Sequence, residues 1–281
     1  MAIALWFVPK KSSQLYDVLS NLIISLQPLF DDFPPIFEPH ITITSNLFIS
    51  SNSDINKILN ASLIAFNTID SNNSTINDQI SLNNLNNLNN LIQFDKFAVG
   101  RNYFNKIHFQ IFKNPNLISF ARIIRELFTL SLSRNSSRSK SINNHSSHFS
   151  ISSSSSNKYN NSTFNYGYDL DAIIPPNAKP PSVILNENDL TLKAKKIAED
   201  WSTNQFNPHL SLVYSNIYKL NSSLIRTIKI RIEDSLDIYN LNENNLINYP
   251  NLGWNYGTLK IVNCEGNVQD WQVLGSIDFH K

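Results

Sequence analysis

Apolar positions in the first third of the chain change period from element to element. From Ala2 to Val8 they run almost unbroken, as in a strand buried on both faces, and Pro9 closes the run. Leu15, Val18, Leu19, Leu22, Ile23 and Leu26 then recur at helical spacing, with Ser12 or Ser13 placed as N-cap and Pro28 near the end. FEPHITIT, residues 37 to 44, alternates polar and apolar side chains like a half-buried strand. Asp54 caps a second helical run through Ile55, Ile58, Leu59, Leu63 and Phe66. The opening order is strand, helix, strand, helix.

Further on, FDKFAVGRNYFNKIHFQIF reads as two strands joined near Gly100, with Ile107, Phe109 and Ile111 on one face. A helix is predicted from Asn114 and Pro115 through Leu117, Phe120, Ile124, Leu127 and Phe128. DLDAIIPP is strand-like with a proline stop, and TLKAKKIAEDW fits a short helix. SSLIRTIKIRIEDSL reads as a helix with a serine cap, although the alternation of Ile228, Ile230 and Ile232 also fits a strand. GTLKIVNCEG and WQVLGSIDF close the chain as two strands around a turn near Gly266. Two segments break the pattern. Residues 70–92 are Asn-dominated and read as a loop insertion, because Asn is a poor helix former and the threefold Leu spacing of SLNNLNNLNNL drifts around a helix. Residues 131–165 are mostly Ser and Asn, too polar to offset their ordering entropy, and are expected to be a disordered loop.

The candidate chemistry lies in a repeat. Phe37, Pro39, His40, Ile41 and Thr42 match Phe206, Pro208, His209, Leu210 and Ser211 in type and order, giving F-x-P-H-apolar-[S/T]-apolar twice. Each proline marks a strand start, and alternation puts His40 with Thr42, and His209 with Ser211, on the face opposite the apolar residues. Halves packed about a pseudo-twofold axis would bring both pairs to one cleft. Two imidazoles with ordinary pKa values near ~6.5 can divide base and acid roles at neutral pH with little tuning. Hydrolysis of a phosphodiester needs that division: one ring takes a proton from attacking water, the other protonates the departing sugar oxygen. Thr42 and Ser211 would donate to the non-bridging oxygens. Symmetric motifs leave open which histidine is base and which acid.

Composition narrows the alternatives. Lys+Arg number 23 against 22 Asp+Glu, so no general field attracts a nucleic-acid backbone or an anionic membrane. The first apolar run is too short to span a membrane and lacks a signal peptide's positive start. A single cysteine, Cys264, excludes an intramolecular disulfide and a cysteine-rich zinc site, and no glycine-rich phosphate loop is present. No cofactor or metal is expected, although Glu38, in phase with His40, keeps a metal reading open. His108 reads as a solvent-side or satisfied strand histidine. His145 and His148 belong to the Ser/Asn loop, and His280 to the tail.

The paired H-x-[S/T] motifs resemble those of the two-histidine phosphoesterase superfamily. AIALWFVP, FEPHITITSNL, FNPHLSLVYS, RIEDSLDI and GTLKIVNCEG with WQVLG look like the fungal 2′,3′-cyclic-nucleotide 3′-phosphodiesterases over nearly the whole chain, apart from the two insertions. The resemblance implies that 1–281 is a single bilobal catalytic domain of α+β class, with two antiparallel sheets flanked by helices around a central cleft. It implies catalysis without a metal, with water as nucleophile, on a small cyclic phosphate carrying a nucleobase. ADP-ribose 1″,2″-cyclic phosphate, a by-product of tRNA splicing, would open to ADP-ribose 1″-phosphate, and nucleoside 2′,3′-cyclic phosphates to 2′-phosphates. By matching positions, His40 and His209 carry over as proton acceptor and donor, Thr42 and Ser211 as phosphate ligands, and Tyr214 as a substrate contact. Tyr214 is out of phase with His209, so a bend or strand end must bring it to the cleft. Trp6 matches an aromatic position near the base, with Tyr103 or Phe104 as a second ring. Fungal relatives further imply an intracellular, Golgi-associated protein. Two rivals stand: an RNA-acting member, such as a 2′-5′ RNA ligase or trimming phosphodiesterase, with a groove built from Arg101, Lys106, Arg122 and Arg125, and a silent nucleotide-binding module. Near-zero charge disfavours the first, and intact histidine and hydroxyl pairs disfavour the second.

Overall fold

The first apolar run forms β1, Ile3–Pro9, paired on both edges and buried on both faces, Ile3, Leu5 and Phe7 in the main core and Ala4, Trp6 and Val8 in a smaller cluster. A computed structural model of the chain describes residues 3–76, 90–130, 187–217, 219–241 and 246–279. The helix after β1 is α1, Gln14–Leu26, capped by Ser13, whose hydroxyl accepts from the Tyr16 N–H. Then follow β2 (Ile41–Ser45), α2 (Asn52–Ile76), β3 (Ile92–Val99), β4 (Ile107–Ile111) and α3 (Pro115–Arg125), the last capped by Asn114. The remaining elements are α4 (Glu187–Asn204), β5 (His209–Val213), α5 (Ser222–Leu236), β6 (Gly253–Trp254), β7 (Gly257–Asn263) and β8 (Gln272–Asp278).

Several boundaries differ from the sequence expectation. The α2 helix starts at Asn52, before Asp54, whose carboxylate instead reaches back to the N–H groups of Ser50 and Ser51. It runs to Ile76, into the Asn-rich stretch assigned to a loop, since extending an existing helix through a poor former costs only about 0.5 kcal/mol per residue. The rest of that insertion from 77 to 89, the 131–165 loop and DLDAIIPP lie outside the described residues. TLKAKKIAEDW belongs to the longer α4. The ambiguous SSLIRTIKIRIEDSL is α5, capped by Asn221 rather than serine; Ile228 and Ile232 are buried while Ile230 between them faces outward, which is helical spacing.

The strands form one antiparallel order, β6-β3-β4-β5-β2-β1-β7-β8, where the resemblance implies two sheets. Its two four-strand halves meet between β5 and β2 at one Cα pair, Ile41 with Leu210. One face carries the helices: α1 lies on β5 and α5, α2 on β7, β8 and α3, and α3 on β2 and α4. Leu5, Phe7, Ile41, Ile43, Phe109 and Leu210 fill the core on this side. The opposite face holds a small apolar set, Ala4, Trp6, Val8 and Val262, together with the polar side chains of both repeats.

Both motif strands are bulged at the same place. Thr44 pairs with Leu5 and Thr42 with Trp6, so Ile43 is the extra residue on β2. Val213 pairs with Ile107 and Ser211 with His108, so Leu212 is the extra residue on β5. Each bulge falls three positions after its histidine and reverses the alternation beyond it. Thr44 consequently turns to the helical side, where Arg125 of α3 reaches its hydroxyl.

Candidate active site

The F-x-P-H segment aims each histidine before its strand begins. The residue before a proline is held extended, and its carbonyl then meets the imidazole two positions on. His40 Nδ1–H donates to the Glu38 carbonyl at 2.6 Å, and His209 Nδ1–H donates to the Asn207 carbonyl at 2.9 Å. A carbonyl only accepts, so both rings carry their proton on Nδ1 and leave Nε2 as the reactive atom. Glu38 itself is fixed: Lys260 of β7 lies 2.7 and 2.6 Å from its two carboxylate oxygens, and the Tyr16 hydroxyl donates to it at 3.1 Å. That carboxylate is therefore engaged in an ion pair.

Extending the Ile41–Leu210 register by one residue in each direction sets His40 opposite Ser211 and Thr42 opposite His209. The four side chains named by the repeat thus share one face at the seam. Thr42 is half-buried, and its hydroxyl has no partner among the described residues. The Ser211 hydroxyl donates to the Phe104 carbonyl at 2.6 Å. The Leu212 bulge supplies the bend that Tyr214 required, and its ring stacks on Phe37 with centroids 3.8 Å apart. Trp6, on β1, is buried and lies flat against His40, centroids 3.6 Å apart and planes 11° from parallel. One face of that indole is thereby occupied by the imidazole.

Electrostatics depart from the expectation of untuned histidines. Burial pushes His40 down to about 4, with the charges of His209 and Lys260 pushing the same way and the Glu38 carbonyl opposing. Burial also lowers His209, against its Asn207 carbonyl. Burial raises the Tyr214 phenol well above its ordinary value. Both catalytic candidates are thus neutral at neutral pH, because removing them from water disfavours the charged form.

Three residues belong to this region that the sequence reading missed or set aside. His108 of β4 pairs with Ser211, is buried, and lies edge-on to His209 with centroids 5.4 Å apart. Its Nδ1–H donates to the Asn105 carbonyl, and burial together with the His209 charge lowers it to about 4. Beyond Tyr214 opens a cavity of about 520 Å³, walled by Tyr103, Phe104, Trp271 and the Asp32–Pro35 loop. The two imidazoles lie outside its walls, but Tyr214 lines it and Ser211 is bonded to Phe104, so cavity and histidines adjoin. Trp271 and Phe33 gave no periodic signal, since neither lies in a regular element.

Of the basic residues considered for an RNA groove, Arg122 and Arg125 lie on the helical side, and Arg101 and Lys106 flank the Tyr103–Asn105 turn. Arg125 stacks over Trp201 at 4.2 Å and Arg122 pairs with Glu199, both between α3 and α4, while Lys106 donates to the Arg101 carbonyl. No helix among the described residues is long and apolar enough to cross a membrane.

The family model described as cyclic phosphodiesterase-like protein matches residues 1–164 and 182–279. The chain is 35% identical to the 2′,3′-cyclic-nucleotide 3′-phosphodiesterase of Candida albicans, covering all of both chains. It is 37% identical to the protein of that name from Debaryomyces hansenii, over 92% of this chain and all of that one. Against its Saccharomyces cerevisiae counterpart the identity is 30%, over 99% of this chain and all of the relative.

Proposed function

The chain belongs to the cyclic phosphodiesterase-like family, and from that premise we propose that it hydrolyses small cyclic phosphates by paired imidazole acid and base catalysis. The observation that carries the reading is the meeting of two histidine and hydroxyl pairs on one sheet face, with both Nδ1 atoms tied to carbonyls. Water attacks phosphorus while the Nε2 lone pair of one ring accepts its proton. The protonated second ring gives a proton to the sugar oxygen as the P–O bond breaks. One proton enters the pair and one leaves it. Since burial keeps the free rings neutral, the acid ring gains its proton with the bound phosphate anion, whose charge offsets the desolvation.

Thr42 and Ser211 hold the non-bridging oxygens, Ser211 by turning its proton away from Phe104. Trp6 acts through the His40 ring that it carries, Tyr214 flanks the ribose, and Tyr103 or Phe104 faces the base. The matched bulges support reading the site as two related halves about a pseudo-twofold axis. The substrates are nucleoside 2′,3′-cyclic phosphates, opened to 2′-phosphates, and ADP-ribose 1″,2″-cyclic phosphate, opened to the 1″-phosphate.

His40→Ala and His209→Ala each lower hydrolysis of these substrates by about 10²–10⁴-fold with the circular dichroism spectrum retained. Turnover at the wild-type rate by either variant ends the reading. Chelation leaves the rate unchanged, because in this reading an imidazole, not a bound metal, activates the water. Faster cleavage of an oligoribonucleotide with a cyclic phosphate end than of either small substrate would move the assignment to an RNA-acting enzyme.

A further inference from the structure

Resting on that reading, we propose that Phe33 is a stacking platform for the nucleobase of the substrate, at the outer wall of the cavity beyond Tyr214. Phe33 has φ +44°, in the left-handed region where a bulky side chain is strained, and the residue is 76% exposed. An aromatic ring that is both strained and solvated gains nothing for the fold from its own position. Its neighbours are nonetheless pinned. The Asp32 carboxylate accepts from the Ser215 hydroxyl at 2.8 Å and from the Asn216 N–H at 2.9 Å, just past Tyr214. The Pro34 carbonyl accepts from the Gln27 amide at 2.8 Å, and the Phe33 N–H donates to the Phe30 carbonyl. The loop therefore holds a single free ring at a fixed place, and that ring lines the cavity.

The lining selects the ligand class. About 520 Å³ lies within the ordinary range of small-molecule sites. The walls carry one carboxylate, Asp32, and no lysine or arginine, so no cation there offsets the charge of a phosphate. Phe33, Phe104 and Trp271 offer aromatic surface, and Asn216, Asn267 and Gln269 offer hydrogen-bonding groups. A neutral planar heterocycle with polar edges fits this set. Because Ser211, the proposed phosphate ligand, is bonded to the Phe104 carbonyl, the base cavity lies one residue from the reacting phosphate.

The test compares wild type with Phe33→Ala, Phe33→Gly and Phe33→Trp. It uses adenosine 2′,3′-cyclic phosphate, the base-free methyl riboside 2,3-cyclic phosphate, and calorimetric binding of adenosine 2′-phosphate. Phe33→Ala and Phe33→Gly are expected to raise KM for the adenosine substrate and Kd for the product about tenfold, with kcat and the base-free substrate unaffected. Phe33→Trp restores both values to within about twofold. Phe33→Gly, which relieves the positive φ, melts no lower than wild type, separating lost stacking from lost structure. Unchanged KM and Kd in Phe33→Ala, or an equal loss on the base-free substrate, overturns the proposal while leaving the hydrolytic reading intact. Adenosine 2′-phosphate binding that depends on Phe33 in a protein without turnover would sustain the platform and sink the hydrolysis.

Discussion

A histidine buried in the candidate site is a liability to the fold in acid. His40 and His108 both titrate near about 4 when folded, but near their ordinary ~6.5 when unfolded. The unfolded chain therefore takes up protons first as pH falls, so stability drops between about 6.5 and 4 and levels off below that, by up to roughly 3 kcal/mol per ring. Urea unfolding at pH 7 and at pH 5 should show His40→Gln and His108→Gln losing less stability across this interval than wild type. Parallel losses in all three proteins would mean that these rings are not held neutral by burial. At this scale the sequence was legible for His40, Thr42, His209 and Ser211, because repetition in type and order is a local signal. His108 reads, from its alternation with Ile107 and Phe109, as a solvent-side or satisfied strand histidine, and its bond to the Asn105 carbonyl makes it the second; its place beside His209 left no local signal. Only the pairing of β4 with β5 turns that polar face into cleft, and no local pattern carries a strand's neighbour.

Between elements, the ion pair of Lys260 and Glu38 ties β7 to the segment that leads into β2, across β1. Both side chains are mostly buried, 11% and 19% exposed, so removing one partner leaves the other desolvated without compensation. Lys260→Met is expected to cost about 2 kcal/mol, the partial exposure placing it below the full buried-pair penalty. It also lowers kcat, because the Glu38 carbonyl that orients His40 loses its anchor. Glu38→Gln combined with Lys260→Met should be less destabilised than the sum of the single changes, as a double-mutant cycle by chemical denaturation measures. Strict additivity would show that the pair is not coupled. Helices and strands were largely readable from periodicity, the Ser13 cap included. The bulges were not, since neither Ile43 nor Leu212 is a residue type that marks one. Tyr214 being out of phase was the single trace they left in the sequence.

The whole molecule does not divide where its repeat divides. A duplicated motif suggests one half before the long polar segment and one after it, yet the strand order interleaves the chain. The half containing β1 and β2 is completed by β7 and β8 from the C-terminal end, with β7 paired to β1 from Ile3 through Pro9. The half containing β5 is completed by β3 and β4 from the earlier region, and by the short β6. Across the seam α1 packs on β5 and α5, Arg231 donates to the Ser25 carbonyl at 2.6 Å, and Asp32 holds Ser215. Pairings this distant in sequence leave no periodic trace, so the repeat named residues that meet on one face without revealing how the chain brings them together. A fragment ending at residue 130 would expose β1 along the edge that β7 covers and would lack β5, the partner of both β2 and β4. Such a fragment is expected to remain unfolded, and the full chain to unfold in one transition, with tryptophan fluorescence and far-ultraviolet circular dichroism coinciding along a urea titration. Trp6 and Trp254 report from opposite halves, so two separated transitions would mean that each half is stable without the other, and that the single pair at Ile41 and Leu210 is a hinge between independent units.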